Sequence, residues 1–229
     1  MSKLLNKLDY FSKFEKNLWI CSMILITISF CIFDRNNYLT LIASYIGVTS
    51  LIFSAKGNPI GQFLMIVFSL LYGIISYTFS YYGEMITYLG MTMPMALFSL
   101  ITWLKNPYKG NKSQVEIKNI SNKEKVFITI VTIMVTILFY FVLKYFNTAN
   151  LLFSTISVTT SFLAVCLTFL RSPYYAIAYA CNDIVLIILW ILASQKNSDY
   201  ISVVVCFVVF LINDLYGYIN WKRIQKCQY

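Results

Sequence analysis

Eight runs of apolar residues, separated by charges, Pro, Gly or Asn, divide the chain. They cover about 17–33, 38–55, 60–80, 84–104, 125–145, 150–170, 173–194 and 200–220. Most approach or exceed the roughly 20 residues that a helix needs to cross a bilayer. The pattern predicts an all-α polytopic membrane protein of about eight transmembrane helices. Ahead of the first run, Leu4, Leu8 and Phe11 share one helical face, with Lys3, Lys7 and Lys13 away from it. Such a leader suits a short amphipathic helix on the membrane surface. No small-residue cleavage site follows the first apolar run, so it does not read as a secretory signal.

Composition agrees: 59% of the 229 residues are apolar and 12% charged, about half the charge fraction of a soluble domain. The net charge of +9 does not imply nucleic acid, because the lysines cluster in short loops beside apolar runs. With the N-terminus inside, the inner segments hold fifteen of the 18 Lys and Arg residues. That asymmetry predicts cytoplasmic N- and C-termini. The loop 105–125, KNPYKGNKSQVEIKNISNKEK, reads as a polar cytoplasmic linker. The six cysteines have no CxxC spacing and read as small buried hydrophobes. The absence of histidine removes His-based metal sites, proton relays and nucleophiles. No cofactor or metal is implied.

A faint internal repeat divides the chain. GNPIGQFLMIVFSLLYG to ALFSLITW and RSPYYAIAYACNDIVLI to DLYGYINW each begin near Pro, pass through two spans and close in Trp. The Pro59-to-Trp103 and Pro173-to-Trp221 distances are 44 and 48 residues. One span precedes each unit. The result is two parallel three-helix bundles, at 38–104 and 150–221, joined by a loop and connecting helix at 105–149. A leader and extra first helix (1–37) and a cytoplasmic tail (222–229) complete the chain.

Polar residues inside the spans carry the candidate chemistry. Of nine acidic residues, only Asp183 and Asp214 fall well inside a span, each after an Asn: Asn182 and Asn213. A central Asp costs about 2.5–3.5 kcal/mol on insertion scales, so both should face the bundle interior. Trp190 shares a helical face with Asp183, as do Tyr218 and Trp221 with Asp214. Carboxylate beside aromatic ring suits an organic cation, such as a pyridinium or a thiazolium. The rival reading is that the Asn-Asp pairs are interhelical packing contacts. The first half offers no buried charge; its candidates are Gln62, Tyr72, Tyr88, Thr92 and Trp103. Pro94, inside a span, should kink it.

NPIGQFLMIVFSLLYGIISYTFSYYGEM, the helix closing in Trp103, YAIAYACNDIVLIILW and FLINDLYGYINW resemble the Pnu-type vitamin transporters over about residues 40–221. The resemblance implies a SWEET-like arrangement, a homotrimer in the lipid bilayer of a bacterial cell (inner) membrane, and a small-molecule vitamin as substrate. It further implies facilitated diffusion of nicotinamide riboside, made one-way by intracellular phosphorylation. The residues it carries into the substrate-binding set are Gln62, Asn182, Asp183, Trp190, Asn213, Asp214 and Tyr218, to which the first-half candidates Tyr88 and Trp103 are added. Where other members close their repeats with Trp-x-x-Trp, this chain has Leu100-x-x-Trp103 and Tyr218-x-x-Trp221. A carrier of thiamine or another B vitamin, an intramembrane aspartate enzyme and a non-transporting assembly protein are the alternatives. The chain lacks the Gly-x-Gly-Asp motif that the enzyme reading would favour.

Overall fold

A computed structural model describes residues 10–78, 81–195 and 197–229. The expected amphipathic leader falls mostly outside the described residues. Among the described residues, eight helices are long and apolar enough to cross a membrane: α1 (Lys13–Phe33), α2 (Tyr38–Ala55), α3 (Pro59–Thr78), α4 (Tyr82–Lys105), α5 (Asn122–Tyr145), α6 (Leu151–Phe169), α7 (Tyr175–Ser194) and α8 (Ser198–Gln228). Each matches one predicted span. Local chemistry sets the ends. Ser12 with Glu15, and Ser121 with Glu124, form reciprocal capping boxes that start α1 and α5. The turns into α3 and α7 are alike: Gly57 and Arg171 take left-handed backbone, at φ 68° and 58°, two residues before a proline.

α2, α3 and α4 pack consecutively, as do α6, α7 and α8. α4 also packs on α6, and α8 on α2, so the two triplets close into a ring of six helices. Small residues permit the close crossings. A Cβ on Gly47 would stand 2.3 Å from the Phe210 ring, and one on Gly61 2.3 Å from Ser54 Oγ. Outside the ring, α1 lies on α2 and α8, and α5 lies on α6. The outward faces of α1 and α5 carry Ile24, Leu25, Phe127 and Phe141, all exposed, as lipid-facing surfaces should be.

Three expectations change. The 105–125 segment is not a simple linker. Pro107–Tyr108 and Asn111–Val115 pair as an antiparallel hairpin (β1 and β2), and Val115 and Ile117 are buried. Two apolar side chains in a lysine-rich stretch suffice to pin it beneath the ring. The 222–229 tail is no free end, because α8 continues to Gln228. Gln228 accepts from Ile117 N–H at 2.7 Å and donates to Val115 O at 3.1 Å. Of the cysteines only Cys206 is buried; Cys21, Cys31 and Cys181 lie exposed on α1 and α7, where lipid accepts a small thiol as readily as a core does.

The strap that includes β2 crosses both repeat turns. Val115 N–H donates to Gly57 O at 2.8 Å, and Lys118 N–H donates to Arg171 O at 3.0 Å. Above it sit Trp103, Tyr175 and Trp221, with ring centroids 4.7–6.5 Å apart. Trp103 Nε1 donates to Thr168 O, in the last turn of α6, at 3.0 Å. Trp221 Nε1 donates to Ser54 O, in the last turn of α2, at 2.8 Å. Each triplet thus bonds a helix-end carbonyl of the other, groups that an α-helix leaves without a helical partner. This strap face is closed.

Candidate functional site

The centre of the ring holds a small cavity of about 30 Å³, room for one or two waters. All six ring helices reach it. Tyr179, Asn182 and Asp183 come from α7, and Phe207, Phe210 and Asp214 from α8. Ser161 comes from α6. The first triplet supplies Leu51 from α2, Met65 and Phe68 from α3, and Tyr88 and Thr92 from α4. Asp183 lies eight residues along α7 from Tyr175, about 12 Å at 1.5 Å per residue. That depth is near mid-membrane.

Asp183 and Asp214 are each about 4% exposed, and their carboxyl groups face each other closely enough to interact. Asp183 Oδ2 makes no hydrogen bond. Two carboxylates so placed repel unless a proton or a cation sits with them. Among the described residues the ion pairs are Lys56–Glu15 and Lys118–Glu124, so no lysine or arginine balances the aspartates. Aromatic faces surround them: Phe68 packs 5.5 Å from Phe210 and 6.0 Å from Tyr88 between ring centroids.

Asn182 is held by α6. Thr160, Ser161 and Ser157 hydroxyls donate to its Oδ1 at 2.8, 3.0 and 3.4 Å. The contact fixes the asparagine at the cavity edge and α6 against α7. Tyr88 and Thr92 reach the cavity through a local change of pitch. Residues Tyr88–Thr92 form a π turn, and Met93 N–H bonds back five residues to Tyr88 O. Pro94 follows and lacks the N–H that an α-helix would need there. The kink expected at Pro94 is therefore a π-bulge one turn earlier, and it sits at the site.

Four of the nine expected binding residues line the cavity: Tyr88, Asn182, Asp183 and Asp214. The other five lie elsewhere. Asn213 turns away to α1, donating to Ser22 Oγ at 3.0 Å and to Val209 O at 2.8 Å. Gln62 donates to Ser54 Oγ at 3.3 Å, between α2 and α3. Trp103 belongs to the strap-face cluster. Tyr218 lies beside Tyr174, 6.1 Å between ring centroids. Trp190 is fully buried nearer the opposite face, its ring 4.9 Å from Tyr81 and 5.5 Å from Tyr200. Sequence reasoning missed Tyr179, four residues before Asp183 and so on the same helical face. It also missed Phe68, Phe207 and Phe210, which periodicity cannot tell from ordinary core. The expectation that the first half holds no buried charge is corrected by Glu84, which is 3% exposed in the first turn of α4. A position at a span edge does not ensure solvation when tyrosines close over it.

The sequence and fold have well-defined relatives. A family model described as nicotinamide mononucleotide transporter matches residues 37–223. The chain is similar to the nicotinamide riboside transporter PnuC of Neisseria mucosa, with 24% identity over 213 residues, 91% of this chain and 81% of that protein. It is similar to the nicotinamide riboside transporter PnuC of Haemophilus influenzae, with 22% identity over 210 residues, 91% of this chain and 90% of that one. The fold matches the crystal structure of the vitamin B3 transporter PnuC at a TM-score of 0.84, with 23% identity, covering 96% of this chain and 94% of the other. With its eight apolar helices, the chain belongs to the nicotinamide mononucleotide transporter family of multi-pass membrane proteins.

Proposed function

We propose that this chain carries nicotinamide riboside across the bacterial inner membrane, with both termini cytoplasmic. The observation that carries the reading is the buried Asp183–Asp214 pair, without a lysine or arginine among the described residues and walled by aromatic rings. A pyridinium ring placed there would offset the carboxylate charge and stack on Phe68, Tyr88 or Phe210. Thr92, Tyr179 and Asn182 are placed to meet the ribose hydroxyls and the carboxamide. The aspartates bind and do not catalyse in this reading.

A cavity of about 30 Å³ is far below the roughly 300 Å³ or more of a small-molecule site. The ring must therefore open. Two triplets that meet along α2–α8 and α4–α6 are suited to rocking against each other around the aspartates, as repeat-built transporters do. Nothing in the mechanism requires an energy source: diffusion down a gradient, with intracellular phosphorylation of the riboside, suffices. A homotrimer would cover part of the exposed apolar surface of α1 or α5.

Uptake of labelled nicotinamide riboside into proteoliposomes tests this. Asp183→Asn should abolish uptake, while Asn213→Ala, which alters the contacts with Ser22 and Val209 away from the cavity, should keep it. Wild-type rates in Asp183→Asn overturn the site. A thiamine carrier is the second reading, favoured by the same cation-binding geometry. Competition among unlabelled vitamins separates the two.

A further inference from the structure

Glu84 has no role in the central cavity, yet its surroundings resemble those of the aspartates. It is 3% exposed, its Oε2 makes no hydrogen bond, and neither ion pair of the described residues includes it. Its carboxyl lies within electrostatic range of the Tyr72, Tyr81 and Tyr88 hydroxyls. These rings form one aromatic group with Trp190. Centroids are 4.4 Å apart for Tyr72–Tyr88, 6.4 Å for Tyr72–Trp190 and 4.9 Å for Tyr81–Trp190. Tyr72 Oη and Trp190 Nε1 are buried and lie close to each other, without a hydrogen bond of good geometry. A buried carboxylate oxygen without a partner, beside a loosely matched Tyr72–Trp190 pair and among aromatic faces, makes an arrangement that desolvation penalises unless something fills it.

The position completes a line through the ring. Glu84 and Tyr88 are four residues apart on α4 and share a face. The Tyr88 hydroxyl is in electrostatic range of both Glu84 and Asp183. Tyr88 is thus the step between an acidic group near the face opposite the strap and the acidic pair at mid-membrane.

We propose that Glu84, with Tyr72, Tyr81 and Trp190, forms a second binding station for a flat aromatic cation, occupied on the way from outside to the Asp183–Asp214 pair. This rests on the reading above, both for the cationic substrate and for the side that faces outward. The carboxylate attracts the ring charge, the rings of Tyr81 and Trp190 hold its faces, and Tyr88 moves aside to pass it inward.

The test is initial uptake of nicotinamide riboside by intact cells lacking their own uptake system, at matched expression. It is paired with calorimetric binding to purified protein, whose dominant heat reports the central pair. Glu84→Gln, which keeps the shape, should raise KM about tenfold, the loss of one charge-assisted contact. Maximal rate and calorimetric Kd should stay within about twofold of wild type, because the central pair is intact. Tyr81→Leu, at a half-buried ring, should raise KM in the same direction and provides the measurement if Glu84→Gln fails to fold. The reduced, uncharged riboside should show no Glu84 dependence. Wild-type KM in the Glu84→Gln and Tyr81→Leu proteins overturns the outer station, as do equal changes in KM and Kd. In either case the function reading stands if Asp183→Asn still abolishes uptake. Absence of uptake by the wild-type protein overturns both.

Discussion

The two triplets of the ring share a scaffold and differ in chemistry. With Pro59 set against Pro173, Met65 falls opposite Tyr179, Phe68 opposite Asn182 and Ser69 opposite Asp183. With Trp103 set against Trp221, Thr92 falls opposite Phe210 and Ala96 opposite Asp214. Met65, Phe68, Thr92 and their counterparts Tyr179, Asn182 and Phe210 all line the cavity. Backbone placement is therefore retained, while the first triplet has Ser and Ala where the second has its two carboxylates. An internally symmetric frame holds an asymmetric site: one wall carries charge, and the other carries apolar and ring surface. A planar cation, with its charge on a flat ring, needs both kinds of wall at once.

The most severe way to break the comparison is to exchange the chemistry between halves. Asp183→Ser should reduce uptake by tenfold or more, the worth of one charge-assisted contact or greater. Adding Ser69→Asp to it should not restore uptake, because the new carboxylate would lie across the ring from Asp214's neighbours. It would also impose the roughly 2.5–3.5 kcal/mol cost of a central Asp. Restored uptake in the double variant would show the two walls to be interchangeable.

Second in size is the apolar wall. Phe68 is 3% exposed and packs against Tyr72, Tyr88 and Phe210. Phe68→Ala should cost about 3–5 kcal/mol of stability through the void it leaves, read as a lowered melting temperature in detergent. Asn182→Ala at the equivalent place should cost less, about 1–3 kcal/mol, by leaving the α6 hydroxyls without their acceptor. The reverse order would mean that the charged wall, not the apolar one, holds the ring together.

The frame was legible in the sequence far more completely than the walls. Eight apolar runs gave eight helices, seven of them within a few residues of their ends and the last running eight residues further to Gln228, because a membrane span must be long, apolar and bounded. The Pro and Trp landmarks gave the repeat because each does a fixed geometric task at the strap face. Side-chain direction was harder. Asn213 and Asp214 were read as a pair, but adjacent residues on a helix point about 100° apart. The structure turns the aspartate to the cavity and the asparagine to Ser22. Trp190 does share the inward side of α7 with Asp183, but seven residues of rise carry it about 10 Å away. Val115 and Ile117 gave no periodic signal in a polar loop, since a strap buried by two side chains has none. Glu84 was discounted for its place at a span edge.

Third comes a test of how the first helix is tied to both halves: on the first-triplet side, Trp19 Nε1 donates to Thr49 Oγ1 at 3.1 Å, Thr27 bonds Tyr45 and Lys56 pairs with Glu15 at 3.4 Å. Three polar contacts join α1 to α8: Tyr216 to Glu15 at 2.7 Å, Asn213 to Ser22 at 3.0 Å and Ser202 to Asp34 at 3.3 Å. Asp34 lies in the turn after α1, and burial raises its carboxyl to about 6, against help from Ser202 and with Asp199 adding to the rise. A carboxyl raised in the fold favours the protonated folded form, so its stabilisation is full below about 4 and is lost as pH rises through about 6. The melting temperature should fall between pH 4 and 7 by an amount equivalent to about 1–2 kcal/mol once solvent screening is allowed for. Asp34→Asn should flatten that slope. An unchanged slope would place the pH response in another group.

The smallest expected effect is a difference between two variants, and it bears most directly on the symmetry. Trp103 and Trp221 are both fully buried, and each donates one indole hydrogen bond to the penultimate carbonyl of a helix in the other triplet. Both acceptors keep a second donor: Arg171 N–H at 3.0 Å for Thr168 O, and Gly57 N–H at 2.8 Å for Ser54 O. Replacing either indole by phenyl removes about 1 kcal/mol of hydrogen bonding and leaves no orphaned carbonyl. Trp103→Phe and Trp221→Phe should therefore destabilise the protein equally, within about 0.5 kcal/mol. Because their rings touch at 5.4 Å, the double variant should fall short of the sum of the two. Chemical unfolding of the three variants in one detergent measures both quantities. A Trp221→Phe cost well above that of Trp103→Phe would mean that the second triplet closes the strap face largely alone. The exchange of helix-end contacts would then be a resemblance of form without an equal division of energy.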